Sequence, residues 1–201
     1  MSTYRSMLIG LATALPLAAL SMPAAAQTRP TTVETASGSV ATYAPITVAE
    51  VEAAQRGWGD ALVAISTAYD RDGRAAATRL AEQALDTAYA YNMGPVLFKP
   101  TLTTAPQTFR LDRTGALAYF VGSNPQYAGD TGFALKSWRQ YAVENAGIVI
   151  TGNTAVSMGK VTFTDAKGSR TTVDKTWGFV RGPDGKLRIM LHHSSLPYKA
   201  S

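Results

Sequence analysis

The hydrophobic periodicity of this chain changes once, near Gly94, and that change restricts the fold more than any other feature. Upstream, apolar residues recur every three to four positions. Val48, Val51, Ala54, Trp58, Leu62 and Ile65 make one stripe, which predicts a helix with a single buried face. Thr47 and Glu50 stand ahead of it at capping-box spacing. "DRDG", ending at Gly73, breaks the pattern. A second stripe of Leu80, Ala84, Leu85, Ala88 and Tyr91 then predicts a helix over 74–91, closed by "NMGP". Downstream the period is two. Short strands are expected over 96–101, 107–111 and 116–122, followed by a turn-rich loop, "NPQYAGDTG". Four longer strands are expected near 138–151, 154–164, 169–181 and 187–196, with "DAKG" and "RGPDGK" as hairpin turns. Helices followed by a strand meander predict an α+β domain, its helices covering one face of an antiparallel sheet.

Before this domain lies a stretch with a different grammar. Arg5, the apolar run "MLIGLATALPLAAL" and the small residues Ala24, Ala25 and Ala26 have the three-part layout of a secretory signal peptide over 1–26. Residues 27–44, rich in Thr, Ser, Ala and Pro, read as a flexible tether, which leaves a single domain over 45–199. Export points to the periplasm, with no membrane attachment once the signal is cleaved. The chain has no cysteine, so the fold must stand on its core without disulfides. The formal charge of +5 is mild and its basic residues are scattered. That is not the footprint of a nucleic-acid surface.

Several chemistries fail on residue supply. Catalytic zinc takes three protein ligands from His, Cys and carboxylates, and this chain has two His, adjacent, and no Cys. Neighbours on a strand point to opposite faces, so His192 and His193 cannot share an ion without a bulge. Asp70 and Asp72 lack the rest of a calcium loop. No phosphate-binding loop and no G-x-S-x-G elbow is present.

Both histidines fall in "LRIMLHHSSLPY" (187–198). Regular alternation puts Leu187, Ile189, Leu191, His193 and Ser195 on one face, and Arg188, Met190, His192 and Ser194 on the other. The first row is apolar and then turns polar where the strand ends, as a core-facing row does when it opens into a pocket. This reading selects His193 and Ser195 and leaves His192 and Ser194 outside. The same rule puts Leu117, Tyr119 and Val121 on one face of a strand. The bland alternatives are a structural histidine at a core edge and a packed tyrosine tied to backbone.

"VLFKPT", "ALAYFVG" and "LHHSSLPY", in this order and at these separations, resemble the iota-class carbonic anhydrases. That family belongs to the nuclear transport factor 2-like superfamily and is related to the association domain of calcium/calmodulin-dependent protein kinase II. The resemblance implies an α+β cone, a curved antiparallel sheet wrapped around N-terminal helices, often as a homodimer. It implies reversible hydration of carbon dioxide to bicarbonate. Its substrate-contacting hydroxyls fall on Thr101, Tyr119 and Ser195, with His193 alongside. Members are described both as metal-dependent and as metal-free. The residue supply here favours no cofactor, with a divalent metal such as manganese or zinc as the alternative. The expected mechanism is a Thr101, Tyr119 and Ser195 hydroxyl network, with His193 or Tyr119 relaying the proton and His favoured by its ordinary pKa. Phe133, Leu135 and Trp138 are candidate pocket walls. The alternative function is a non-catalytic periplasmic module of the same fold that binds a small ligand or oligomerises. An isomerase or dehydratase is weaker, because no carboxylate falls on the pocket-facing rows.

Overall fold

The computed structural model describes residues 31–35, 38–42 and 44–200. The expected signal peptide lies outside the described residues. Within the stretch expected as a tether, β1 (Thr31–Thr35) and β2 (Gly38–Thr42) pair as an antiparallel hairpin.

The domain opens with α1 (Val48–Asp72). Its start is fixed chemically: the Glu50 amide donates to Thr47 Oγ1 (3.2 Å) and the Thr47 amide donates to Glu50 Oε2 (2.8 Å), a reciprocal cap. Glu50 also receives Arg181, whose Nη1 lies 2.8 Å from Oε1, so the cap ties the helix to the sheet. Gly73, at φ 80°, ends α1, and α2 (Arg74–Ala88) follows. This second helix stops short of the expected Tyr91 because Tyr89 turns extended and bridges to Ile189.

Two expected strands are absent. Residues 107–111 form no ladder, although Arg110 N donates to Phe98 O (2.8 Å). Of residues 116–122, read as a strand, 116–121 belong instead to helix α3 (Arg113–Val121) and Gly122 caps its end. Asp112 caps it by accepting from the Gly115 amide (2.7 Å). The run is buried nearly all round, with Ala116, Ala118, Tyr119, Phe120 and Val121 each at 5% exposure or less. A short apolar run buried on every side has no readable period, so alternation carried no information there.

The five-stranded sheet has the order β3-β7-β6-β5-β4. Its long members, β4 (Trp138–Thr151), β5 (Thr154–Asp165), β6 (Arg170–Arg181) and β7 (Leu187–Ser195), match their expected bounds to within a residue and run antiparallel. The short β3 (Leu97–Lys99) lies parallel to β7, so the sheet is mixed and not wholly antiparallel as expected.

One face of the sheet carries the core. Trp58, Leu62 and Ile65 of α1 and Leu85 of α2 meet Phe163, Trp177, Phe179 and Ile189 of the strands. Each such side chain contributes about 1.5–3 kcal/mol by leaving water. A polar strap crosses the same interface. Gln55 Nε2 donates to Asn145 Oδ1 (2.9 Å) and to Ser157 Oγ (3.0 Å), and Asn145 Nδ2 donates back to Gln55 Oε1 (2.9 Å). Among the described residues no helix is long and apolar enough to cross a membrane.

Candidate active site

The ladder between β6 and β7 contains one irregularity, and it sets which side chains of β7 face inward. Gly178 faces Leu191, but the next pair is Phe179 with Ile189, which leaves Met190 without an opposite residue. This is a β-bulge. One extra residue inverts the parity of everything beyond it, because side chains alternate with period two. Ile189 faces the core as expected. Past the bulge, His192 (opposite Trp177) and Ser194 (opposite Lys175) face inward, 2% and 1% exposed. His193 pairs with Thr176, Ser195 pairs with Asp174, and both lie on the outer face. The face assignment made from regular alternation is therefore reversed for all four residues.

The structure brings Thr101, Tyr119, Ser194 and His192 together from three elements. β3 delivers Phe98 opposite His192, and Thr101 follows just beyond that strand. Thr101 Oγ1 donates to Ser194 Oγ at 2.7 Å. Ser194 thereby keeps its own hydroxyl proton for another acceptor. The Tyr119 ring, supplied by α3, stands edge-on to Phe98 (5.7 Å), and Phe98 stacks on the His192 imidazole at 4.3 Å. The phenolic oxygen of Tyr119 is buried and has no aligned hydrogen-bond partner in the protein. The Thr101 hydroxyl and the Thr101 and Leu102 amides lie close enough to favour its ionised form, but burial outweighs them and pushes its pKa up. Tyr119 is thus held protonated, and its hydroxyl makes no aligned hydrogen bond within the protein. A void of about 20 Å³, lined in part by Leu102, Tyr119 and Phe133, borders it. Of the expected wall residues, Phe133 stacks on Tyr119 at 5.6 Å and Trp138 packs behind Phe133. Leu135 is only partly buried and packs against the core.

His192 is held by three neighbours that the sequence reading missed. Trp58 Nε1 donates to Tyr89 Oη (2.8 Å), Tyr89 Oη lies 2.8 Å from His192 Nδ1, and Lys175 Nζ lies 2.6 Å from His192 Nε2. Burial above all holds the imidazole well below its usual pKa, so it is neutral. Burial alone holds Lys175 well below the ordinary lysine range. A signal for Lys175 was present: in "VDKTWGF" the inward row Val173, Lys175, Trp177 and Phe179 contains one charged residue, and all four are buried. No such signal marks Tyr89, whose place depends on where α2 stops.

His193 and Ser195 line an open groove of about 600 Å³ together with Lys175, Asp174, Thr176, Met158 and Lys160. Burial and the Lys99 and Lys175 charges lower the His193 pKa. Among the described residues no group of three His, Cys, Asp or Glu side chains is placed to hold a metal ion.

With this geometry in place, comparison with known proteins is specific. The family model described as metal-independent carbonic anhydrase matches residues 49–196. A metal-independent carbonic anhydrase of Nostoc sp. is 60% identical over 154 residues, covering 77% of this chain and 75% of the relative. The crystal structure of a cyanobacterial iota-carbonic anhydrase complexed with bicarbonate is similar at a TM-score of 0.77 and 60% identity, covering 78% of this chain and 95% of that one. An NTF2-like protein of unknown function from Pseudomonas putida is more distant, with a TM-score of 0.46 and 14% identity over 78% of this chain and 92% of the other. The match spans α1 through β7, the elements that deliver Trp58, Phe98, Thr101, Tyr119, Lys175, His192 and Ser194, and the chain belongs to the metal-independent carbonic anhydrase family.

Proposed function

We propose that the protein hydrates carbon dioxide reversibly to bicarbonate at the Thr101, Tyr119 and Ser194 hydroxyls. The observation that carries this reading is the buried, unpartnered hydroxyl of Tyr119, beside a serine whose own proton is free because Thr101 donates to it. Buried polar groups in native proteins have partners, and an orphan calls for a missing one. Two donors and the Thr101 lone pairs match the product: bicarbonate accepts from Tyr119 and Ser194 while its protonated oxygen donates to Thr101. In the forward direction water attacks the carbon and negative charge grows on the carbon dioxide oxygens. Tyr119 and Ser194 face that charge from a dry, aromatic surround of Phe98, Phe120 and Phe133. Preorganised donors of this kind are worth about 10²–10³ in rate each.

This reading gives Ser194 and His192 the roles that the sequence resemblance implied for Ser195 and His193. Tyr119 acts as a donor to the substrate, since burial keeps it protonated. The family's metal-independent description agrees with the cofactor-free expectation. The bicarbonate bound in the similar cyanobacterial structure supports the same substrate here. We further infer a homodimer and export to the periplasm through the 1–26 segment. The exposed Val149, Val156 and Met158 support the first, as apolar side chains left without cover. The layout of the N-terminal residues supports the second.

The test is stopped-flow hydration on chelator-treated protein whose metal content is assayed on the same sample. Activity in the metal-free protein that falls about 10²-fold in Tyr119→Phe and Ser194→Ala supports the assignment. Activity that returns only with added manganese or zinc counts against it.

A further inference from the structure

Hydration of carbon dioxide releases one proton, and the hydroxyl cluster contains no base to take it. Burial keeps the phenols of Tyr119 and Tyr89 protonated. His193 lies on the outer face of the sheet. His192 is neutral, yet Tyr89 and Lys175 occupy both its ring nitrogens.

The direction of these hydrogen bonds follows from Trp58. An indole N–H can only donate, and here it donates to Tyr89 Oη at 2.8 Å. The single Tyr89 hydroxyl proton then points to His192 Nδ1, the remaining partner at 2.8 Å. The imidazole therefore carries its proton on Nε2 and donates it to Lys175 Nζ at 2.6 Å. An ammonium has no lone pair with which to accept, so Lys175 is an amine. Its surroundings agree: Lys175 is 4% exposed, and among the described residues it makes no ion pair.

We propose that Lys175 is the proton acceptor of the hydration reaction, reached through Tyr89 and His192. This rests on the carbon dioxide reading above. In hydration, the water oxygen bonds to carbon, one C=O π pair moves onto oxygen, and a water O–H bond breaks. That proton enters at Tyr89, whose ring packs on the same Phe98 and Phe120 as Tyr119; Tyr89 passes its own to His192 Nδ1, and His192 passes its Nε2 proton to the Lys175 lone pair. Bicarbonate leaves as the anion and Lys175 is left as an ammonium, which returns its proton along the reversed chain to the water that refills the site after bicarbonate has gone. The ammonium has a prepared seat. Nζ lies 4.4 Å from the Trp58 ring centroid and 5.2 Å from that of Trp177, and aromatic faces attract a cation most when water is excluded. The other titratable groups bearing on the pair are Tyr89 after α2, Lys99 on β3, Tyr119 on α3 and His193 on β7, with Glu144 and Asp174 along the outer groove.

The experiment combines stopped-flow hydration from about pH 6 to about pH 9.5, bracketing a depressed lysine, with bicarbonate binding and ¹⁵N NMR of lysine-labelled full chain. In the wild type, kcat is expected to rise with pH through one ionisation, and the Lys175 nitrogen to resonate as an amine at neutral pH. Lys175→Met is expected to lose about 10²-fold in kcat and that ionisation, while keeping its bicarbonate affinity. Lys175→Arg, a permanent cation, is expected to do the same. An ammonium resonance at neutral pH in the wild type overturns the proposal and needs no variant. So does a Lys175→Met variant with unchanged kcat and pH profile, or one that loses bicarbonate affinity along with kcat, since that marks a packing role. A wild type with no hydration at any pH defeats the carbon dioxide reading itself, and the spectrum still reports the state of Lys175.

Discussion

Thr101 and Ser194, 93 positions apart in the chain, share a hydrogen bond of 2.7 Å, and that bond places the end of the β3 segment against the end of β7. Its neighbour on the strand, Ser195, points the other way. The two serines are chemically identical, so comparing them tests the site with little else changed. Ser194→Ala is expected to lower hydration kcat/KM by about 10²-fold, and Ser195→Ala to leave it within about twofold of wild type. Stopped-flow rates on the two variants check this. A larger loss in Ser195→Ala would restore the assignment made from regular alternation.

Tyr119→Phe separates stability from activity. The hydroxyl it removes has no protein partner, and an unsatisfied buried polar group costs about 1–3 kcal/mol. The variant is expected to unfold at the same or a higher denaturant concentration than wild type while its hydration rate collapses. A marked loss of stability would mean that the hydroxyl is satisfied within the protein and is not held free for substrate.

Lys175 makes stability depend on pH in a fixed direction. Unfolded, its amine titrates near 10.4; folded, burial holds it well below that. Between the two values the unfolded chain binds a proton that the folded chain does not. Stability contributed by this site therefore rises with pH, by about 1.4 kcal/mol per unit, and levels off above about pH 10.4. Denaturant unfolding of wild type and Lys175→Met at about pH 7, 8 and 9 is expected to show the slope in wild type alone. Equal slopes would mean that Lys175 is charged in the folded protein.

The segment behind Tyr119 is held by one buried ion pair. Arg110 reaches Asp130 with Nη2 (2.9 and 2.8 Å) and Nε (3.1 Å), the two side chains 3% and 4% exposed, and its guanidinium lies 4.4 Å over the Tyr127 ring. Removing one partner strands the other's charge, at a cost of about 3–5 kcal/mol. Asp130→Ala is expected to lower the melting temperature by roughly 10 °C, with hydration falling as the Tyr119 side of the cluster loosens. Thermal unfolding measures the first and stopped-flow the second.

Much of this was legible in advance. The Thr47 cap, the α1 stripe and the bounds of β4 to β7 came from local chemistry: a capping pair, a helical period, hairpin turns. Thr101 and Tyr119 were found through motif resemblance and do stand together. Alternation failed at two places. At 116–122 the run is buried on all sides, so helix and strand look alike. At Met190 the strand is regular in composition but not in pairing, and no residue type there announces a bulge.

The sequence by itself determined the class of fold, the family and the residues from which a site could be assembled, because periodicity, caps and motifs are local properties. The tertiary structure alone decided which histidine and which serine face inward. That choice depends on one unpaired residue in the β6–β7 ladder, and pairing is a relation between strands that neither strand encodes alone. The same pairing sets Lys175 against Ser194 and brings its side-chain nitrogen to His192, where burial among tryptophans disfavours the charge that composition would assign to a lysine.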